Sequence, residues 1–368
     1  MANTIQASPP AQREPNRGSG RWRGRHGGRR PRRRRLVILG LIALLVVLGV
    51  PAGGAWYVGH RITSQITRLH GVFDNLPARP PRPTTGAAAN AINILLMGTD
   101  RRSPVATTGS AAQAPVWIPG EQRSDTMMIL HIDADRRGVS VISIPRDSWV
   151  YIPGHGMAKI NAAFSWGGPS LAVATVERLT GVRIDHIAIV DWAGYKAMID
   201  KVGGIDVTIP STVYDSARHY TWTAGTHHLD GTLALLYARD RYGLPEGDID
   251  RVRRQQEVVR ELSKKVLAEM GSPMTMYGLL DVLSQHLTID SGWSSSALAS
   301  LAFSLRDLHG DEVKYLTAPL TGTGMVGDQS VVFLDASADA GLWTALRADS
   351  MGAWEHDHAG ALTPTTVD

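Results

Sequence analysis

The chain has 368 residues, 43 % of them hydrophobic, and no cysteine, so it can bury a core but has no disulfide, thiolate metal site or cysteine nucleophile. Its net charge of +4 is uneven, because residues 1–35 contain eleven arginines and one acid while the rest of the chain has a net charge of −6. This acidic remainder excludes a broad nucleic-acid-binding face, and we expect no nucleic-acid partner.

The N-terminal part has the pattern of a membrane anchor. Residues 1–35 are rich in Arg, Gly and Pro, which is typical of a disordered tail. Residues 36–58 contain no charge and are long enough to cross a bilayer as one transmembrane helix. Because the arginines precede this helix, the positive-inside rule predicts a cytoplasmic tail and an extracellular C-terminal part, in a single-pass protein of the cell membrane. The alternative is a cleaved signal peptide that uses the small residues 52–55.

The remaining chain divides into three predicted parts. Residues 59–89 form a juxtamembrane segment, with a short amphipathic helix at 62–76 and then a Pro-rich linker. Interleaved strands and helices predict a layered α/β domain at residues 90–349. Its strands are predicted at 91–97, 126–132, 139–144, 187–190, 207–210, 313–316 and 331–334, and its helices at 169–179, 195–202, 233–238, from 250 onward, 274–287, 296–308 and 338–346. Residues 101–121 form a long loop, and residues 350–368 a disordered tail.

One stretch, residues 237–256, holds five arginines and four carboxylates. Gly243, Pro245 and Gly247 interrupt it, so the charges cannot form i,i+4 pairs along one continuous helix. Arginine forks bind phosphate oxygens, and carboxylates among them orient the arginines or bind a hard cation. The stretch therefore predicts a site for a metal-bound polyphosphate; a structural salt-bridge network is the alternative.

The spacing of the arginines refines this prediction. Arg239 and Arg241 are two residues apart, so in an extended segment both point to one side. Arg251 and Arg254 share a face of the long helix, behind the predicted N-cap Asp250. An anion near this helix N-terminus would offset the unfavourable position of the arginines.

Further charged residues lie where predicted strands begin or end. Asp100 follows the first strand, Asp125 precedes the second, and Arg146 and Asp147 follow the third. Two carboxylates brought together here would repel each other unless a cation such as Mg²⁺ lay between them. Taken singly, each aspartate has the ordinary alternative of a turn residue.

Other motifs do not predict a site. Residues 322–327 match a dinucleotide-binding fingerprint in letters, but a predicted strand follows them where a helix is required. His227 and His228 lie in a predicted turn, and residues 355–358 lie in the predicted tail. A solvated surface is favoured over metal binding for both.

Seven segments, in this order behind one predicted transmembrane helix, resemble the LytR-CpsA-Psr family. They are NILLMGTD at residues 93–100, RSDTMM at 123–128, IPRD at 144–147, KINAA at 159–163, GGI at 203–205, LDG at 229–231 and the charged stretch at 237–256. The resemblance covers residues 93–257 strongly and the rest to 349 loosely. It implies a three-layer α/β/α sandwich with a central mixed β-sheet and an apolar tunnel for a lipid.

The family resemblance also implies an activity. Such proteins are Mg²⁺-dependent phosphotransferases of cell-wall assembly outside the cytoplasm. They transfer a glycopolymer from a polyprenyl-pyrophosphate carrier to peptidoglycan, typically to the 6-hydroxyl of N-acetylmuramic acid, through a phosphodiester. Two alternatives use the same sequence features: a polyprenyl-pyrophosphate hydrolase, which would admit water, and a non-enzymatic membrane regulator.

Site residues follow from the resemblance position by position. Asp100 and Asp125 match the metal-associated aspartates. The pyrophosphate-binding and catalytic arginines match Arg146, Arg239, Arg241 and Arg251. Asp248 matches the acid of the arginine loop, either as general base or as the residue that orients Arg241 or Arg251. Gln255 matches the following Arg-Gln motif and is expected to bind the lipid pyrophosphate with the arginines. The insertion at residues 101–121, between the two aspartates, departs from the family pattern.

Overall fold

The computed structural model describes residues 66–76, 79–101, 122–269 and 273–367. The predicted tail at 1–35, the transmembrane span at 36–58 and most of the 101–121 loop therefore lie outside the described residues. Within these ranges, no helix combines the length and hydrophobicity that a membrane span requires.

The strands of the described chain, in order, are β1 (Thr67–Leu69), β2 (Ile92–Arg101), β3 (Gln122–Ile132), β4 (Val139–Ile144), β5 (Trp149–Ile152), β6 (Gly156–Lys159), β7 (His186–Asp191), β8 (Ile205–Ile209), β9 (Val213–Asp215), β10 (Tyr220–Trp222), β11 (Gly225–Leu229), β12 (Leu287–Asp290), β13 (Val313–Thr317), β14 (Leu320–Val326) and β15 (Gln329–Leu334). The α-helices are α1 (Asn161–Thr180), α2 (Trp192–Lys201), α3 (Gly231–Ala238), α4 (Asp248–Glu269), α5 (Pro273–His286), α6 (Ser295–Ser304), α7 (Ala336–Ala348) and α8 (Met351–Asp357). Every strand and helix predicted in the α/β domain has a counterpart. The largest difference in bounds is at α1, which begins at Asn161 and is interrupted by non-helical angles at Gly167 and Gly168, whereas the prediction began at residue 169.

Seven strands form the central sheet, in the order β1-β12-β7-β2-β3-β4-β13. The sheet is mixed, because β2 is parallel to β7 but antiparallel to β3. β3 and β4 form the predicted antiparallel hairpin. The prediction of a mixed α/β fold with a central mixed sheet is confirmed.

Helices cover both faces of this sheet. Successive residues of a strand point to opposite faces, and Met127 and Met128 of β3 are buried in two different clusters. The Met127 cluster includes side chains of α1 and α7. Side chains of α4 and α6 pack against the Met128 cluster. The sheet thus lies between two layers of helices.

A third, smaller core supports the charged stretch. It is built by β8, β11, α2, α3 and the first half of α4, around the buried aromatic rings of Trp222 and Tyr237. The two rings meet edge to face, with centroids 5.2 Å apart. The end of α3 and the start of α4, between which the charged stretch lies, are anchored in this core.

The N-terminal boundary of the fold differs from the prediction. The predicted helix at 62–76 is wrong over the described residues, because Thr67–Leu69 is a strand that pairs in parallel with β12. Val72 is buried in the main core, and Arg79 forms a salt bridge with the buried Glu177 at 2.6 Å. The edge of β12 offers unpaired backbone groups that β1 satisfies, so the fold includes part of the predicted linker.

The predicted disorder of residues 350–368 is also wrong for the described residues. They contain α8, and Met351 and Val367 are buried. The guanidinium of Arg260 donates hydrogen bonds to the carbonyl oxygens of Thr363 and Pro364, at 2.9 and 2.6 Å. Few and widely spaced apolar residues anchor this segment, so it shows little periodicity.

Two local predictions have opposite outcomes. Helix α4 begins at Asp248, so Asp250 is not its N-cap; the Asp250 carboxylate instead accepts from the backbone N–H of Glu246 and pairs with Arg253. Residues 322–327 lie in β14 and its turn to β15, which confirms that a strand, and not a helix, follows this motif.

Candidate active site

Two residues determine the backbone path through the first half of the charged stretch. The side chain of Asp230 caps α3 by accepting from the N–H groups of Thr232 and Leu233, and α3 ends at Ala238. Gly243 has φ 83°, and a Cβ there would lie 2.4 Å from the carbonyl oxygen of Tyr214. Only glycine combines this backbone angle with so close a contact, so Gly243 fixes the loop against β9.

Five arginines line one cavity of about 300 Å³ beside this loop. They are Arg146, Arg218, Arg239, Arg241 and Arg251, and the other lining residues are Asp125, Trp192, Tyr242 and Gln255. The structure thus brings together all four predicted arginines. A surface of this kind attracts a compact, multiply charged anion.

Carboxylates fix Arg146 in the wall of the cavity. Its Nη1 donates to Oδ1 of Asp125 at 2.5 Å, and its other nitrogens lie 3.4 Å from Asp147 and 3.9 Å from Asp248. Burial alone would lower the pKa of Arg146, but these three carboxylates raise it above its ordinary value. Arg146 is therefore a permanently charged and oriented group.

Asp248 also orients Arg251. Its Oδ2 accepts from Nη2 of Arg251 at 2.8 Å, and the Nε of Arg251 is buried with no hydrogen-bond partner among the described residues. Burial lowers the pKa of Arg251 and raises that of Asp248. The attraction between the two opposite charges works against both shifts but does not cancel them. Arg241, the other residue that Asp248 was considered to orient, instead donates to the hydroxyl of Tyr242 at 2.8 Å.

Arg239 and Arg241 are exposed at the cavity. The guanidinium of Arg239 lies 5.7 Å from the ring centre of Trp192, and that of Arg241 lies 4.9 Å from the ring of Tyr242. Neither has a carboxylate within ion-pair distance in the described part of the chain. Their charges are thus available to an anion, and both line the same cavity, as predicted. The predicted extended exit from α3 is wrong at Arg239, which is the C-cap with αR backbone angles, φ −102° and ψ −5°.

Asp125 occupies a β-bulge at the edge of the cavity. Gly98 of β2 pairs with Thr126 and the next residue, Thr99, pairs with Ser124, so Asp125 is the extra residue on β3. Bulges redirect side chains next to functional sites. Asp100 pairs with Arg123 along the backbone, so the inserted loop leaves and returns on adjacent strands. The Asp100 side chain lies outside the described part, and its role stays a prediction.

Gln255 lies at the boundary of two cavities. Its Oε1 accepts from the hydroxyl of Thr126 at 3.1 Å, and its Nε2 donates to the carbonyl of Ala238 at 3.4 Å. Gln255 and Trp192 line both the arginine cavity and a second cavity of about 260 Å³. The second cavity is apolar, with a lining that includes Leu96, Met128, Val259, Leu262, Leu283 and Leu287.

Arg218 was missed by the sequence prediction. Its Nη1 pairs with the buried carboxylate of Asp215 at 2.7 Å, and its Nη2 donates to the carbonyl of Arg239 at 3.1 Å. Arg218 follows the short strand β9 and lies nineteen residues before the start of the charged stretch. No recognisable motif surrounds it. Of the predicted non-sites, His228 lies on β11 and pairs with the exposed Asp206.

Comparisons with known proteins agree with this architecture. Residues 72–348 match the model of the LytR_cpsA_psr family. The cell wall biosynthesis protein LcpA of Corynebacterium glutamicum is 30% identical over 285 residues, which are 68% of this chain and 54% of LcpA. The polyisoprenyl-teichoic acid–peptidoglycan teichoic acid transferase TagU of Enterococcus faecalis is 34% identical over 237 residues, which are 64% of this chain and 72% of TagU.

The chain spans about half the length of the corynebacterial relatives that it matches, 54% for both LcpA and the probable cell wall biosynthesis protein LcpB. Among solved structures, that of Bacillus subtilis TagV superposes with a TM-score of 0.56 at 25% identity, covering 71% of this chain and 98% of TagV. The matched family region contains the arginine cavity, the bulge at Asp125 and the adjoining apolar cavity. The chain therefore belongs to the LytR-CpsA-Psr family.

Proposed function

We propose that this protein is a membrane-anchored phosphotransferase that moves a glycopolymer from a polyprenyl-pyrophosphate carrier to peptidoglycan, outside the cytoplasm. The observation that carries the proposal is the junction at Trp192 and Gln255, where the arginine cavity meets the apolar cavity. A polyprenyl pyrophosphate has the same two parts, an anionic head joined to an apolar chain. The name of the relative TagU, a transferase of teichoic acid to peptidoglycan, supports the choice of acceptor.

The arginines supply what phosphoryl transfer needs. Arg146 and Arg251 are held by carboxylates before any substrate binds, so their charge is preorganised. Arg239 and Arg241 add two exposed charges at the same cavity. Negative charge spreads over the phosphate oxygens in the transition state, and fixed cations stabilise it there more than in the ground state.

The donor groups at the cavity fit a bound Mg²⁺. Asp125 presents a carboxylate among the arginines, and Mg²⁺ in such sites binds one or two carboxylates together with phosphate oxygens. Asp125 and Asp100 would hold the ion, which would neutralise phosphate charge when bound. Because Asp248 contacts both Arg146 and Arg251, we assign it the orienting role and not that of general base.

In the proposed reaction a sugar hydroxyl, the 6-hydroxyl of N-acetylmuramic acid, attacks the phosphorus that carries the glycopolymer. A new oxygen–phosphorus bond forms, and the bridging bond of the pyrophosphate breaks. The lipid leaves as polyprenyl phosphate, and the hydroxyl proton passes to solvent or to the leaving phosphate. A water molecule in place of the sugar would give hydrolysis, so the acceptor distinguishes the two activities.

The test incubates the purified full-length protein with a polyprenyl-pyrophosphate-linked glycopolymer, Mg²⁺ and peptidoglycan fragments, and identifies products by mass spectrometry. We expect a phosphodiester-linked conjugate. We expect Arg241→Ala, which removes an exposed side chain, to lower its formation at least about 100-fold while the protein stays folded and membrane-bound. Arg306→Ala, at an exposed arginine paired with Asp307, is the matched control and should keep full activity.

Other outcomes of this experiment would favour a different function or contradict the assignment of the site. Free glycopolymer phosphate without conjugate would indicate the hydrolase. No turnover of the carrier by the unmodified protein would indicate a non-enzymatic regulator of envelope assembly. Full activity in Arg241→Ala would contradict the assignment of the site. Mass analysis of lipid that co-purifies with the detergent-extracted protein tests the apolar cavity separately.

A further inference from the structure

A second group of chemically active side chains lies at the other end of β3. His131, Asp133 and Asp349 place one donor atom each within 4.8 Å of one another. The Nε2 of His131 is 3.1 Å from Oδ1 of Asp349 and 3.5 Å from Oδ1 of Asp133. Asp125 is six residues away along the strand, or about 20 Å at 3.3 Å per residue. The group is therefore separate from the arginine cavity.

The hydrogen bonds around His131 determine which ring nitrogen carries its proton. Nδ2 of Asn93 donates to the carbonyl of Arg183 at 3.1 Å, so the amide oxygen of Asn93 faces Nδ1 of His131, at 2.7 Å. Nδ1 must donate to that oxygen, which leaves Nε2 of the neutral ring without a proton. The ring is fully buried, so its Nε2 lone pair points only at carboxylate oxygens.

The two carboxylates have few compensating partners: the backbone N–H of Ala134 lies 3.3 Å from both oxygens of Asp349, and the positive charge of Arg136 acts on Asp133 without a direct ion pair. Among the described residues, no lysine or arginine nitrogen lies within ion-pair distance of Asp133 or Asp349. Arg136 is close in sequence, but it donates to the backbone carbonyl of Asp133. Oδ1 of Asp133 is buried with no hydrogen-bond partner there.

We propose that His131, Asp133 and Asp349 bind one divalent transition-metal ion of the Zn²⁺ type. One imidazole and two carboxylates form a donor set that suits Zn²⁺ better than Mg²⁺. At metal–ligand distances of about 2.0–2.1 Å, neighbouring ligands of a tetrahedral ion lie about 3.3 Å apart. The separations of Nε2 from the two carboxylate oxygens, 3.1 and 3.5 Å, match this value.

The ion would have a structural role. Asp349 is the C-cap of α7, and Asp133 begins the turn between β3 and β4. A shared ion would clamp the end of α7 to this turn and to His131 of the central sheet. Because none of the three residues lines the arginine cavity, the proposal does not depend on the proposed transferase activity.

The test uses full-length protein in detergent, stripped with a chelator and then titrated with Zn²⁺ by calorimetry. We expect one high-affinity ion per chain and a melting temperature several degrees higher with the ion than without it. Asp133→Asn and Asp349→Asn keep side-chain volume, and asparagine tolerates the left-handed backbone of residue 349, φ 55°. Each should weaken Zn²⁺ binding at least about 100-fold.

Two variants serve as controls. Asp135→Asn, in the same turn but outside the group, and Asp307→Asn, at an exposed pair with Arg306, should both bind Zn²⁺ as the unmodified protein does. Absence of stoichiometric binding, or unchanged binding in both ligand variants, would overturn the proposal. If the ligand variants do not fold, X-ray absorption of the Zn²⁺-loaded unmodified protein decides. One imidazole nitrogen with carboxylate oxygens supports the site, and a shell without imidazole overturns it.

Discussion

The carboxylate of Asp240 lies 2.9 Å from Nη1 of Arg254, and neither side chain is exposed to solvent. Asp240 stands between Arg239 and Arg241, which line the arginine cavity. Arg239 is the C-cap of α3 with αR backbone angles, φ −102° and ψ −5°, so the chain turns here instead of running extended. With Asp240 buried, the side chains on either side of it reach the cavity. The guanidinium of Arg254 also lies 4.4 Å from the ring centre of Tyr237, in the core that supports the loop. This buried ion pair therefore orients the exposed arginines.

We predict that Asp240→Asn lowers the free energy of unfolding by about 3–5 kcal/mol, because it leaves the charge of Arg254 buried without its carboxylate. Urea unfolding measures this loss. Transfer activity per folded molecule should also fall, since Arg239 and Arg241 lose their fixed direction. Glu261→Gln, at the partly exposed pair with Lys264, is the control and should change stability by less than about 1 kcal/mol. Equal stability losses in the two variants would contradict the prediction.

The placement of Arg239 and Arg241 at one cavity was predicted from the sequence, whereas the ion pair between Asp240 and Arg254 was not. The common direction of Arg239 and Arg241 was predicted from their two-residue spacing, but the extended backbone on which that prediction depended is absent at Arg239, which ends α3 in an αR conformation. The partner of Asp240 is fourteen residues away, and Arg218 reaches the cavity from the turn between β9 and β10, so neither contact has a local signal. Long amphipathic segments such as α4 were predicted well, whereas three-residue strands such as β1 depend on the partner strand that completes them.

Arg218 should contribute to substrate binding although the family motifs do not include it. We predict that Arg218→Gln raises KM for the lipid-linked substrate about tenfold, because one cation leaves the cavity. Asp215 keeps two backbone N–H donors, so the fold should survive. Arg253→Gln is the matched control, because Arg253 belongs to the charged stretch but pairs with Glu246 and Asp250. Steady-state kinetics with equal KM in both variants would contradict a role for Arg218.

Asp125 and Asp147 both contact Arg146, but only Asp125 lines the cavity. We predict that Asp125→Asn raises the Mg²⁺ concentration needed for half-maximal activity and lowers maximal activity at least about 100-fold. Asp147→Asn should leave the Mg²⁺ requirement unchanged, because it removes a contact of Arg146 and Lys159 only. Activity measured across a Mg²⁺ titration distinguishes the variants. The same Mg²⁺ dependence in both would argue against Asp125 as a ligand.

Trp192 should contact the substrate where its anionic head group joins the lipid chain. We predict that Trp192→Ala weakens binding of a long-chain polyprenyl pyrophosphate about tenfold, and binding of inorganic pyrophosphate less, because the ring lines both cavities. Trp166→Ala is the control, since Trp166 is 39 % exposed on α1 and its ring contacts only the tilted ring of His155 among the described aromatic side chains, with centroids 4.9 Å apart. Calorimetric titration with the two ligands measures the difference. An equal loss for both ligands would mean that Trp192 contacts only the anionic head.

The stability of the domain should depend on the ionisation of Glu257. This side chain is buried, and its Oε2 accepts from the hydroxyl of Tyr237 at 2.6 Å. Burial raises the pKa of Glu257 from 4.5 to about 7. Between these pH values the folded protein keeps a proton that the unfolded chain releases, so raising the pH through this window lowers the free energy of unfolding, by about 3 kcal/mol at most. Above the folded pKa the loss is complete.

We predict that Glu257→Gln, which keeps an acceptor for Tyr237, removes this contribution. Relative to the unmodified protein, the variant should gain stability as the pH rises from about 5 to about 8, because only the unmodified protein must ionise a buried carboxyl. Urea unfolding at several pH values measures the difference between the two proteins, in which the contributions of other titrating groups cancel. A stability difference that stays constant across this range would show that Glu257 is already ionised in the folded state at the lower pH, with Arg260 and Arg254 outweighing its burial.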